Sequence, residues 1–180
     1  NMNKKIQSKV WPLSLTLFII ILDQITKTLV VKNIPLHTIG TEFFGDFLRI
    51  IHVSNTGVAF SVGATWSDIV RFAAFVIVPL VVIVLVFIVY FRNNEWTTLQ
   101  RWAIMGIVGG GIGNLIDRAF RTEGVVDFID VKFFGIFGLD RWPTFNVADS
   151  SIIICGILLA ITFIISIKKE KSTEKSKENN

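Results

Sequence analysis

The stretch IVRFAAFVIVPLVVIVLVFIVYF, residues 69–91, decides the fold class. Only Arg71 and Pro79 interrupt its apolar run. At ~1.5 Å rise per residue, a helix of this length crosses the ~30 Å hydrocarbon layer of a bilayer. Three further runs of about 20 residues accompany it. Residues 11–31 carry Asp23 and Lys27, residues 99–120 are rich in glycine, and residues 147–167 are nearly pure Ile, Leu and Ala after the first turn. Lipid offers the backbone no hydrogen-bond partners, so an open chain spans it only as helices. The sequence therefore predicts an all-α membrane protein. Four transmembrane helices, over 11–31, 69–91, 99–120 and 147–167, form one domain across residues 1–180.

Composition points the same way. Of 180 residues, 52% are hydrophobic and 18% charged, and mean hydropathy is +0.61. An ordinary soluble domain carries roughly 25% charged residues. Sixteen Phe and five Trp would overfill any core that so short a chain could close in water. These figures exclude disorder, collagen-like repeats and small disulfide scaffolds, and the single Cys155 has no partner within the chain. A pI near 9.4 raises nucleic acid as a partner. The basic residues, however, cluster beside the apolar runs, which is the pattern of membrane topology, so nucleic acid is not an expected partner.

Lys4, Lys5 and Lys9 precede the first run, Arg92 and Arg101 lie between the second and third, and Lys168, Lys169, Lys171, Lys175 and Lys177 follow the fourth. The positive-inside rule places these segments, and with them both termini, in the cytoplasm. The loops at 32–68 and 121–146 then face outside. Asp23, Gln24 and Lys27 stand where a cleavable signal peptide would need small residues, so the first run is expected to be a retained span. The tail 168–180 holds only Lys, Glu, Ser, Thr and Asn after Ile167 and reads as a disordered cytoplasmic extension.

The outer loops carry β-prone and aromatic sequence. FLRIIHVSNTGVAFSV, residues 47–62, reads as two strands of a hairpin around Ser54-Asn55-Thr56-Gly57. Phe43, Phe44 and the aromatic segment 133–137 are apolar yet outside the spans, and are expected in the interface plane.

Ionisable residues in or beside spans are costly, so each is a functional candidate. Asp23 and Lys27 are four apart on one helix face and can pair. That pair either fixes helix packing or meets substrate. Gly106, Gly109, Gly110, Gly111 and Gly113 suit close helix approach, and the Walker pattern of a nucleotide site is absent. Asn114 and Arg118 again share one face. Asp127 follows the third run, and Asp149 opens the fourth, where the helix dipole favours a carboxylate. One outer loop joins the two runs, so both carboxylates reach the same depth. Two such carboxylates, one protonated and one ionised, suit an aspartic peptidase, and a proton or cation pathway would use them equally well. A purely structural role leaves them unexplained. His37 and His52 supply no zinc ligand set, Cys155 has no nearby His, and no G-x-S-x-G occurs. No metal or cofactor is expected.

These motifs together resemble lipoprotein signal peptidase (signal peptidase II), the family of bacterial membrane aspartic peptidases. Asp23 to Lys27 is similar to its D-x-x-x-K, and Asn55-Thr56-Gly57 with Ala59-Phe60-Ser61 to its N-T-G-x-A-F-S. G-N-L-I-D-R ending at Arg118, V-V-D-F-I-D over 125–130 and N-x-A-D-S over 146–150 complete the order. The resemblance implies that Asp127 and Asp149 are the catalytic pair. It further implies that Asn55, Asn114, Arg118, Asn146, Asp23 and Lys27 bind substrate or support the dyad. The implied substrate is a prolipoprotein whose cysteine bears a diacylglyceryl group, cut just before that cysteine at the outer face of the bacterial cytoplasmic membrane, by a monomer in contact with membrane lipid. The chain departs from the family pattern between Arg118 and Asp127 and in the aromatic insert 133–141.

Overall fold

The computed structural model describes residues 2–56 and 66–178, with side chains from 6–56 and 66–169. Helices occupy the four apolar runs. A short α1 (Met2–Val10) turns at Trp11-Pro12 into α2 (Leu13–Asn33). The strongest run becomes α3 (Asp68–Phe72), a π-helical turn (Ala73–Ile77) and α4 (Val78–Arg92) without a break. Val78 donates its N–H to the Ala73 carbonyl, five residues back. This wider turn lets the rod continue past Pro79, whose ring and missing N–H disrupt ordinary α-helical bonding. α5 (Thr98–Phe120) starts on a reciprocal cap in which Gln100 N–H donates to the Thr97 hydroxyl and Thr97 N–H to the Gln100 side chain.

Among the described residues, three helical segments are long and apolar enough to cross a membrane: Ile6–Asn33, Asp68–Arg92 and Val147–Lys169. α5 is as long, but Gln100, Arg101, Asn114, Asp117 and Arg118 interrupt it, and one of its faces is buried along its length. Apolar length therefore does not mark it as a span, although four were expected. Its glycines let neighbouring backbones approach. A Cβ at Gly110 would sit 2.3 Å from the Ala148 carbonyl oxygen, and one at Gly113 would meet the Asp23 carboxylate at 2.7 Å. The Thr16 hydroxyl donates to the Met105 carbonyl at 2.7 Å, and Ser151 to that of Gly106 at 2.8 Å, so small polar groups further tie α2 and α6 to α5.

A three-stranded antiparallel sheet, in the order β1 (Ile39–Phe43), β2 (Leu48–Asn55), β3 (Val125–Val131), sits on one end of the bundle. Val126 and Phe128 of β3 pack on Val30 near the end of α2. Of the expected hairpin around 54–57, only the first strand lies within the described residues. Residues 48–55 form that strand, which makes a hairpin with β1, with Phe43 opposite Leu48. The expected second strand falls within 57–65, outside the described residues. β1 escaped the sequence reading because all five of its residues are exposed, which leaves no alternation to detect.

The last helix, α6 (Val147–Glu178), runs on past Ile167 through most of the tail expected to be disordered. Lys and Glu are strong helix formers, and a helix already nucleated by its apolar part extends through them at little cost.

Candidate active site

Asp127 and Asp149 come from different elements and line one cleft. Asp127 lies on β3, where its neighbours pair with β2 in the register Val53 opposite Asp127 and Asn55 opposite Val125. Asp149 lies in the first turn of α6. Asn55, Asn114, Arg118, Trp142, Ile152 and Ile153 share the walls of this cleft, whose volume is about 260 Å³.

Each carboxylate receives two N–H donors. Asn55 Nδ2 reaches Asp127 Oδ2 at 3.1 Å, and Asn146 Nδ2 reaches Oδ1 at 2.7 Å. Asn114 Nδ2 donates to Asp149 Oδ1 at 2.7 Å, and the Asn146 backbone N–H to Oδ2 at 3.2 Å. Asp149 N–H returns a bond to Asn146 Oδ1 at 2.9 Å, so the pair also caps α6. Asn146 is fully buried and touches both aspartates.

Asp127 is almost wholly buried, whereas Asp149 is half-buried. Burial pushes the Asp127 carboxyl up to about 7, and the Asp149 charge adds to the rise. The amides of Asn55 and Asn146 and the Lys27 cation pull it the other way. Near neutral pH the deeper carboxyl can thus hold a proton within the cleft.

Arg118 reaches the same cleft. Its guanidinium lies 5.9 Å from the centre of the Phe75 ring, and its buried Nε has no hydrogen-bond partner among the described residues. That leaves a donor available at the wall shared with the dyad.

Asp23 and Lys27 lie one layer deeper. Lys27 Nζ sits 2.8 Å from Asp23 Oδ2 and 2.8 Å from Asp117 Oδ2, with all three side chains fully buried. It also donates to Asn114 Oδ1 at 3.0 Å. Asp23 Oδ1 accepts the N–H of Ala148 at 3.0 Å, and Asp117 Oδ2 accepts that of Val126 at 3.2 Å. The cluster thus grips the residue immediately before each aspartate of the pair. Asp117, together with Gln24, which donates to it at 3.1 Å, was not singled out in the sequence. For Asp117 the signal was present: Gly110, Gly113, Asn114 and Asp117 recur at helical spacing on one face of α5.

A bundle with membrane-length helices and two carboxylates meeting in a cleft at its sheet-covered end defines an integral membrane protein equipped for acid–base chemistry. Residues 15–165 match the family model described as signal peptidase (SPase) II, and the chain belongs to that family of membrane aspartic peptidases. It is 51% identical over 168 residues to a lipoprotein signal peptidase of Treponema pallidum (strain Nichols), covering 93% of this chain and 89% of that one. A Treponema denticola lipoprotein signal peptidase is 48% identical over 165 residues, covering 92% and 95%. One from Borrelia hermsii is 51% identical over 156 residues, covering 87% and 89%. A solved bacterial membrane enzyme superposes with a TM-score of 0.72 at 30% identity, covering 90% of both chains.

Proposed function

We propose that this chain removes signal peptides from diacylglyceryl-modified prolipoproteins, cleaving the bond before the lipidated cysteine. The observation that carries this reading is the pairing in one cleft of a buried Asp127, held near pH 7, with a more exposed Asp149. Asp149 takes a proton from water as its oxygen attacks the scissile carbonyl. Asp127 gives its proton to the leaving amine nitrogen as the C–N bond breaks. The water's oxygen ends in the new carboxyl group, and the two carboxyls exchange their single proton between cycles. Asn114 and Arg118 stabilise the charge that develops on the carbonyl oxygen, and Asn55 and Asn146 orient Asp127. No metal, cofactor or covalent intermediate is required.

Around this centre, four spans, with α5 as the third, leave both termini and the 93–97 connection in the cytoplasm. The cleft then faces the outer side of the bacterial cytoplasmic membrane, where a monomer meets a substrate whose acyl chains rest in the bilayer. The basic residues flanking the apolar runs support that orientation.

The test is cleavage of one prolipoprotein with and without its diacylglyceryl group by the purified protein. The lipid-modified form is expected to be cut at least ~10-fold faster, since remote binding contributes to rate. Equal rates contradict the lipid part of the reading, and no cleavage of either form contradicts the reading as a whole.

A further inference from the structure

The aromatic insert 133–141 takes no part in the chemistry above, and its construction points to a separate task. Lys132 and Arg141 bridge at its base, and Phe133 N–H bonds the Asp140 carbonyl at 2.7 Å. Arg141 Nε donates to both oxygens of Asp130 at 2.7 Å, and its Nη2 to the Asp46 carbonyl at 3.0 Å. Lys132 Nζ pairs with Asp46 Oδ2 at 2.8 Å, and Phe134 stacks on Phe47 with ring centres 6.1 Å apart. The β1–β2 turn and the insert, distant in sequence, are thereby fastened into one body.

Three phenylalanines project from it. Phe44 is 87% exposed, Phe134 67% and Phe137 88%. Each has a left-handed backbone, with φ of +54°, +53° and +56°. Among the described residues only His37 shares that state without being glycine. A bulky side chain adopts it against local steric resistance, so such positions persist where another interaction compensates. Water provides no compensation for an exposed ring, whereas an apolar medium does.

Through Phe137 the projecting rings also reach the cleft wall that α6 lines. Phe137 meets Phe133 at 6.4 Å, Phe133 meets Trp142 edge-on at 5.1 Å, and Trp142 shares the cleft wall with Ile152 and Ile153. At the base, Arg49, Lys132 and Arg141 are matched by Glu42, Asp46 and Asp130, and Asp140 leaves the body one net negative charge, so it presents no excess of cations to draw anionic headgroups. We propose that Phe44, Phe134 and Phe137 form a foot that inserts into the headgroup–acyl boundary of the membrane leaflet on the active-site side. Its partner is lipid, held by apolar burial and not by headgroup charge. The foot holds the sheet, and with it the Asp127 wall of the cleft, against the bilayer surface. This proposal rests on the membrane reading of the helices and not on the peptidase reading.

The experiment uses the full chain with Cys155→Ala, carrying either Phe44→Cys or Phe137→Cys labelled with an environment-sensitive fluorophore. The labelled protein is reconstituted in phosphatidylcholine vesicles with and without phosphatidylglycerol. Both labels are expected to emit as in an apolar medium. Spin labels near the headgroup should quench them more strongly than spin labels at the chain end, to the same extent in both lipid mixtures. Water-like emission at both positions overturns the proposal. So does apolar emission that no lipid spin label quenches, because a second copy of the chain or another protein then covers the rings. Quenching only in the presence of phosphatidylglycerol overturns the charge-independent form. None of these outcomes depends on cleavage of any substrate.

Discussion

Two clusters of carboxylates and cations lie at the same end of this molecule, and they differ in almost everything but composition. Asp23, Lys27 and Asp117 are fully buried between α2 and α5, and every member is bonded several times. Asp46, Arg49, Lys132 and Arg141 form a belt on the outer sheet, with side chains 20–42% exposed. In the belt, water competes for each charge, and the Lys132 hydrogen bond holds Asp46 below the usual carboxylate range without making it indispensable. In the buried cluster no solvent replaces a missing partner, so the charges must balance internally. Arg121 Nε, 3.0 Å from Asp117 Oδ1, provides that balance: two carboxylates face two cations. Like ion pairs therefore serve unlike purposes. The buried set fixes the backbone beside Asp127 and Asp149, and the exposed set fastens a loop.

The largest expected effect follows from breaking that balance. Lys27→Met leaves two buried carboxylates facing each other and should cost about 3–5 kcal/mol, the usual penalty for halving a buried ion pair. Thermal melting in detergent measures it. Adding Asp23→Asn and Asp117→Asn to the same chain should restore much of the loss, and no restoration would mean that lost packing, not unpaired charge, was the cause.

A smaller change sharpens the account of the carboxylate pair itself. Asn55 donates to Asp127 Oδ2 and lowers its affinity for protons. In the reaction proposed, Asp127 must hold a proton, so the cleavage rate should fall as pH rises past about 7. Asn55→Ala removes a bond made to the ionised form and should move that limb to higher pH by roughly 0.5–1 unit, the worth of one amide hydrogen bond. A pH–rate profile of each variant reads the shift, and a limb moved to lower pH would contradict the assignment. The smallest expected effect lies in the belt: Asp46→Asn should leave both the melting temperature and the cleavage rate unchanged within error. A large loss there would erase the contrast between the clusters.

Much of this was legible in the sequence because membrane-length helices announce themselves by uninterrupted apolar runs. The i, i+4 spacing of Asp23 and Lys27 and the glycine stripe also translate directly into contacts on helix faces. The sheet was harder to read. β1 is exposed at every position, and β3 is buried at nearly every one, so neither shows the alternation that marks a strand with one wet face. The π-helical turn before Pro79 leaves no trace in composition. Asp117 was visible only as one polar residue in a motif. Its grip on the Val126 N–H depends on a chain reversal at 121–124. There Gly124, at φ +91°, lies so close to the Asn55 carbonyl that a Cβ would sit 2.4 Å from that oxygen.

The central claim is that Asp127 and Asp149 share the chemistry while other groups hold the fold. Cleavage of diacylglyceryl-modified prolipoprotein by purified Asp127→Asn and Asp149→Asn tests it directly. Asn is nearly isosteric and still accepts the Asn146 N–H at position 149, so the cap on α6 should survive. At position 127 the sign of the stability change is also fixed. The folded value near 7 lies above the 3.8 of a free aspartyl side chain, so the stability this carboxyl contributes is present at low pH and lost as pH rises through 7. Asp127→Asn should therefore melt no lower than the parent at pH 8. Both variants are predicted to fold in detergent as the parent does while losing about 10²- to 10⁴-fold in rate. Near-normal cleavage by either one would contradict the claim for that aspartate.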